Sequence, residues 1–250
     1  MKAPTVEEAK KLAAGPYAEQ LLWVLFAYAV PLSWATAVTS GGPVVTNGTA
    51  FFLQTPRTLM GITAAHVVTA HLRQKEITPH TVCHLGDIEF DLAEALIDHG
   101  DRPDITTFRV TEKLLANLKK QPITGWPPTV PTPGKGILYA GYPGLQRQQV
   151  ERREFSFGLY GANNVAHSVD GEKITAMVHH DRVVSTIGQK PPPEYDIGGM
   201  SGGPLATIIE SPTGLISWRL GGVISQGLTM ADILYAARAD AIQDDGCVRR

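Results

Sequence analysis

The sequence predicts an all-β chain laid out in two strand-rich halves. Three observations lead there. First, 25 glycines and 18 prolines make up about 17% of the 250 residues, against roughly 12% in average usage. A chain that turns so often favours many short strands over long helices. Second, short runs of β-branched and aromatic residues, bounded by turn residues, recur along the length. Third, Pro122, Pro127, Pro128, Pro131 and Pro133 crowd the middle of the chain. No helix or central strand survives that density, so residues 122–135 read as a semi-rigid connector.

The elements follow in order. Thr5-Val6-Glu7-Glu8 is a capping box opening a short helix that Gly15-Pro16 ends. Leu21–Val38 carries no charge, and a membrane-spanning helix needs about 20 such residues. Pro31, Ser33 and Thr36 count against a span. Glu7, Glu8 and Glu19 count against a signal peptide, although Ala35-Thr36-Ala37 resembles a small-residue cleavage site. The favoured reading is a buried helix near Tyr17–Tyr28 and a first strand near Ala29–Ala37. A signal peptide or membrane anchor over residues 21–38 is the alternative.

Asn47-Gly48 between Val44–Thr46 and Thr49–Leu53 predicts a hairpin turn. The turn also explains the Asn47-Gly48-Thr49 glycosylation pattern without a glycan. Met60–Val68 reads as a strand running into a turn or helix, and Ile88–Phe90 and Thr106–Val110 as strands. Glu112–Lys120 is a short helix or an extended edge. Past the connector, Gly136–Ala140, Gln149–Tyr160, Ile174–Val178, Leu215–Leu220 and Gly222–Ser225 read as strands. Pro191-Pro192-Pro193 marks a loop. Thr229–Asp240 is helix-compatible. The units are an N-terminal apolar segment (1–38), a first half (39–121), the connector (122–135) and a second half (136–250).

Composition excludes several classes. The 22 basic and 24 acidic side chains leave a net charge near −2, unlike a nucleic-acid-binding domain. Lys119-Lys120 and Arg152-Arg153 are solvated pairs. With 43% hydrophobic and 18% charged residues the chain is not disordered. Cys83 and Cys247 cannot staple a chain of this size and read as reduced thiols. His66 with His71, His179-His180 and Cys83-His84 lack the spacing of metal ligands. No phosphate-cradling glycine loop occurs. No metal or cofactor is expected, and the chain reads as cytoplasmic, with export or anchoring through residues 21–38 as the alternative.

Three segments carry chemistry. Thr63-Ala64-Ala65-His66 ends a strand on a histidine. Asp104-Ile105-Thr106-Thr107-Phe108 opens one with an aspartate. Gly199-Met200-Ser201-Gly202-Gly203-Pro204 sets a serine in a glycine-rich turn. A serine hydroxyl is a poor nucleophile without a neighbouring base, and the base needs an orienting anion. His66 can take the Ser201 proton while Asp104 holds the imidazole tautomer. Asp98 and Asp101 are rivals for that role; Asp104 is preferred because Ile105 and Phe108 suit a buried strand. The backbone N–H groups of Gly199 and Ser201 are the expected donors to the oxyanion that attack creates.

These segments, with Gly141-Tyr142-Pro143-Gly144 and Gly222-Val223-Ile224-Ser225-Gln226-Gly227, resemble the chymotrypsin/trypsin-like serine proteases, and in particular the bacterial, disulfide-free peptidases. The likeness covers about residues 44–230, with histidine, aspartate and serine in the family's order. It implies two packed six-stranded antiparallel β-barrels, His66 and Asp104 on the first and Ser201 on the second, flanked by an N-terminal helical segment and a C-terminal helix. It implies a peptide or protein substrate, held by strand addition along Ser225, Gln226 and Gly227, with Ser225 also bonding Asp104. A catalytically silent peptide-binding module is the alternative.

Two departures stand out. Met200 occupies the place where secreted relatives carry an aspartate, and there is no Ile-Val-Gly-Gly activation terminus, so the maturing salt bridge of those zymogens cannot form. The residue six before the serine, which sets specificity in the family, is Tyr195, followed by Asp196. Asp196 in the pocket favours Lys or Arg; Tyr195 there makes it shallow or apolar.

Overall fold

In the computed structural model, residues 16–40, 42–152, 154–178, 195–228 and 232–250 are described. The expected helix after Thr5, His179-His180, Pro191–Pro193 and the start of the Thr229–Asp240 segment lie outside them. The described residues open with helix α1 (Pro16–Phe26). Among the described residues no helix is long and apolar enough to cross a membrane. The first body contains β1 (Ala29–Thr39), β2 (Gly42–Gln54), β3 (Leu59–Thr63), β4 (Cys83–Leu85), β5 (Ile88–Phe90), β6 (Leu96–Gly100) and β7 (Ile105–Arg109). These form one curled seven-stranded sheet in the order β5-β4-β1-β2-β3-β7-β6. Helices α2 (Ala65–Ile77), α3 (Leu92–Ala95) and α4 (Glu112–Leu118) fill its connections.

The second body is a closed barrel of β11 (Tyr160–Val169), β12 (Lys173–Met177), β15 (Ile233–Arg238), β14 (Ile216–Leu228), β13 (Pro204–Glu210) and β8 (Gly136–Gly141). Strands β9 (Arg147–Glu151) and β10 (Glu154–Phe157) make a separate ribbon. The chain is thus mostly β and two-bodied, as the resemblance implies. The first body departs from a closed six-stranded barrel.

Local physics explains the elements. Pro31 lies in β1 one residue outside the β4 pairing, which starts at Leu32↔Leu85, so its missing N–H breaks no bond there. Thr111 caps α4 by accepting from Leu114 N. Helix α2 buries Ala65, Val67, Val68 and His71 against Trp34, Phe52 and Leu85. Each large side chain so buried contributes about 1.5–3 kcal/mol. Cys83 is buried and Cys247 exposed, both free.

Three expectations are corrected. Asn47-Gly48 is not a turn: β2 runs straight through it, Ser33 facing Asn47 and Leu32 facing Gly48, and the reversal comes at Thr39↔Gly42. Gly48 is small because α2 presses on it; a Cβ there would lie 2.6 Å from Val67 Cγ1. The expected C-terminal helix is strand β15 followed by one 3-10 turn, Ala239–Ala241. Its alanines fit a helix locally, but β15 pairs with β12 on one side and β14 on the other and closes the barrel, which outweighs propensity. The two strands expected over Leu215–Ser225 are the single strand β14.

Apolar packing joins the bodies. Phe51, Leu53, Met60 and Ile62 of the first meet Leu220, Val223 and Ala237 of the second, with Ile123 from the connector between them. The proline-rich segment is no free spacer. Ile123 exchanges backbone bonds with Phe52 and Gln54, and Thr129 N donates to Leu220 O.

Candidate active site

Strand β3 ends at Thr63, and α2 begins two residues later, which puts His66 in the first helical turn. Strand β7 pairs with β3 so that Thr106 faces Thr63. Asp104, two residues before Thr106, therefore arrives beside the start of α2. Its carboxylate grips His66 twice: the His66 backbone N–H donates to Oδ1 at 2.9 Å, and ring Nδ1 lies 2.7 Å from Oδ2. With the proton on Nδ1, this ring presents the Nε2 lone pair outward. Half of the His66 side chain (51%) is exposed, and 24% of Asp104.

The rival aspartates are elsewhere. Asp98 accepts from Val248 N and His99 N, both at 2.8 Å, and from Arg250 at 3.2 Å. These bonds, Val248 N foremost, hold its carboxyl below the usual range. Asp101 is exposed in the turn before β7.

Ser201 sits in the turn between Gly198 and Pro204. Its hydroxyl donates to Ser225 O at 3.3 Å. Among the described residues it makes no bond to the imidazole. Gly199 and Gly202 have φ of +98° and +90°, a region costly for any residue with a Cβ. A Cβ at Gly199 would also lie 2.7 Å from Tyr142 O and 2.8 Å from Gly144 N.

Peptide planarity then aims two donors. Gly198 O accepts from Gly144 N at 2.6 Å, and Met200 O from Gly203 N at 2.9 Å. In a trans peptide the N–H points opposite to the C=O, so the Gly199 and Ser201 N–H groups face away from these partners. Among the described residues neither has a protein acceptor.

Met200 is fully buried in the barrel core with Tyr139, Leu205 and Ile224. A hydrophobic plug thus fills the position before Ser201.

The expected specificity residues divide. Tyr195 is buried against the Tyr160 ring at 5.4 Å, and burial pushes its phenol up to about 12. Asp196 is exposed, and its Oδ1 accepts from Gly198 N at 2.8 Å, capping the turn. Ser225 meets Ser201 through its carbonyl, Gln226 is exposed, and Gly227 packs directly on the Ile197 side chain. Among the described residues the Ser225 hydroxyl makes no bond to Asp104, whose two oxygens bond His66. No three His, Cys, Asp or Glu side chains gather as a metal-binding group among the described residues.

Some residues at the site were not singled out in the sequence. Asn47 Nδ2 donates to Tyr142 O at 2.7 Å, and its Oδ1 accepts from Arg147 Nη1 at 2.7 Å. Thr49 bonds the turn directly. The Asn47-Gly48-Thr49 run carries a local turn signal that masks these distant partners.

No protein-family model matches the chain, and no curated protein does. Solved structures do. One is a thermostable serine protease, AL20, from an extremophilic microorganism, with 14% identity over 85% of this chain and 91% of that one, TM-score 0.47. Another is the serine protease domain of the Sesbania mosaic virus polyprotein, with 11% identity over 83% and 86%, TM-score 0.42.

Proposed function

We propose that the chain is a trypsin-like serine endopeptidase with Ser201 as nucleophile, His66 as base and Asp104 as its orienting anion. The observation that carries this reading is the double grip of Asp104 on His66, which leaves only Nε2 free to work. In the reaction the Ser201 hydroxyl leaves Ser225 O and gives its proton to His66 Nε2 as Oγ attacks the scissile carbonyl carbon. The oxyanion that forms is met by the N–H groups of Gly199 and Ser201. The imidazolium returns its proton to the departing amine, leaving an acyl-enzyme. Water, deprotonated by His66, then attacks the acyl carbon and releases Ser201. The substrate is an extended peptide, whose backbone pairs with Ser225–Gly227 at the edge of β14.

A second reading, a peptide-binding module that does not cut, draws on one observation: the Ser201 hydroxyl is bonded to Ser225 O and not to His66. One experiment separates the two. The full chain, Ser201→Ala and His66→Ala are treated with a fluorophosphonate and read by intact mass and peptide mapping. A single adduct on Ser201, absent from Ser201→Ala and slowed about 100-fold or more in His66→Ala, supports the enzyme. No adduct on the unaltered chain refutes it.

A further inference from the structure

All four carbonyl oxygens of residues 198–201 are held. Gly144 N holds Gly198 O, and Gly203 N holds Met200 O. The other two go to one residue. The Thr49 hydroxyl donates to Gly199 O at 2.9 Å, and Thr49 N donates to Ser201 O at 2.8 Å. Thr49 belongs to β2 of the first body, 150 positions from Gly199.

Thr49 is fully buried, and each of its polar groups is used. Its hydroxyl also accepts from Tyr142 N at 2.9 Å, in the segment whose Gly144 braces the turn. Its carbonyl accepts from Thr63 Oγ1 at 2.7 Å, at the end of the strand leading to His66. One residue thus links the base-bearing strand, through its carbonyl, with the bracing segment and the serine turn, which its hydroxyl joins. Only a hydroxyl can donate to one backbone group and accept from another at the same atom, and a β-branched residue suits the strand.

We propose that Thr49 is the positioning residue of the oxyanion site. It fixes the Gly199–Met200 and Ser201–Gly202 peptides, each of which directly follows a peptide whose N–H, of Gly199 or of Ser201, is to be aimed. This rests on the reading of Ser201 as nucleophile. It also answers what holds the turn in a chain with Met200 where relatives carry aspartate. The brace crosses from the other body, so the turn needs no cleaved amino terminus to set it.

The test compares the unaltered chain with Thr49→Val, which removes the hydroxyl at nearly constant volume, and Thr49→Ser, which keeps it. Turnover of a quenched-fluorescence peptide library, fluorophosphonate labelling, and inhibition by a peptide aldehyde are measured. The aldehyde adduct develops the same oxyanion. In Thr49→Val, kcat falls about 100-fold while KM stays within about threefold. Aldehyde affinity falls in step, and the pH midpoint of kcat/KM is unmoved because His66 and Asp104 are untouched. Thr49→Ser recovers most of the rate.

Thr49→Val within threefold of the unaltered kcat overturns the proposal. So does a slowed variant whose aldehyde affinity is unchanged. So does a variant without a cooperative thermal transition, since the residue is then needed for folding and not for aim. Failure of the unaltered chain to label at Ser201 refutes the nucleophile itself, and Thr49's role with it. A labelled unaltered chain beside an undiminished Thr49→Val refutes Thr49 alone.

Discussion

Asp104→Asn separates charge from geometry at the candidate site. The carboxylate accepts two bonds from one residue, from His66 N at 2.9 Å and from Nδ1 at 2.7 Å. Asparagine offers one acceptor oxygen and one NH2 donor. If its oxygen keeps the His66 backbone N–H, its NH2 faces Nδ1. Nδ1 must then be the acceptor, and the ring proton moves to Nε2. A ring protonated at Nε2 cannot take the Ser201 proton. If the amide flips, an N–H faces the His66 backbone N–H and that bond is lost. The flipped amide keeps the base only by setting two N–H donors against each other, so the first orientation prevails, and the expected fall in kcat at neutral pH is on the order of 10⁴-fold, about 5.5 kcal/mol of barrier.

Stability changes far less. The pair is half in solvent, with 51% and 24% side-chain exposure, so losing one charge-assisted bond costs about 1 kcal/mol or less. The assay pairs kcat on a peptide substrate with a urea midpoint, with Asp98→Asn as the control. Asp98 is bonded to Val248, His99 and Arg250 and not to His66, so its variant should lose stability and keep kcat. An Asp104→Asn chain within tenfold of the unaltered kcat, or an Asp98→Asn chain slowed as much, refutes the reasoning.

Two further outcomes are expected. His71 is buried edge-on to Trp34 at 5.3 Å. Burial first, then the Lys75 charge, hold its pKa below the ordinary 6.5, against a smaller pull from Asp91. The folded value being the lower, the unfolded chain binds more protons as pH falls. This contribution is complete above about 6.5 and is lost toward the folded value. Thermal midpoints of the unaltered chain should therefore drop more steeply than those of His71→Phe between pH 7 and 5; parallel curves refute this. Met200→Asp puts a carboxylate into the barrel core and should cost several kcal/mol in urea unfolding and abolish labelling of Ser201. Met200→Leu should stay within about 1.5 kcal/mol. A stable, labelled Met200→Asp chain refutes the hydrophobic-plug account.

The two-bodied β layout was legible because turn residues and short apolar runs are local signals. His66, Asp104 and Ser201 stood out because their types and neighbours are unusual, and the β3–β7 register brings the first two together. What was not legible depends on distant partners. Asn47-Gly48 carries a turn signal that β1 pairing and the pressure of Val67 override. The alanines of β15 are helix formers until β12 and β14 flank them. Thr49 looked like any strand threonine, since its partners at Gly199 and Ser201 lie far down the chain. Ile123's two backbone bonds to β2 and Asp98's bonds to Val248 and Arg250 have no sequence signature for the same reason.

The residues after the barrel return to the first sheet. Thr55 Oγ1 donates to Asp244 O at 2.6 Å, Thr107 Oγ1 donates to Gly246 O, and Val248 N reaches Asp98 at 2.8 Å. Ile242 and Val248 are buried with Phe51, Met60 and Ile105. The sheet that holds His66 and Asp104 is thus sealed by residues 242–248, which leave the ribosome after every strand of both bodies. During synthesis the first body emerges early yet stays unsealed until these residues arrive. A growing chain halted after Ser201 carries all three candidate residues and lacks both β14 and this seal. Full assembly of the candidate site's surroundings therefore waits on residues made after both strand-rich bodies.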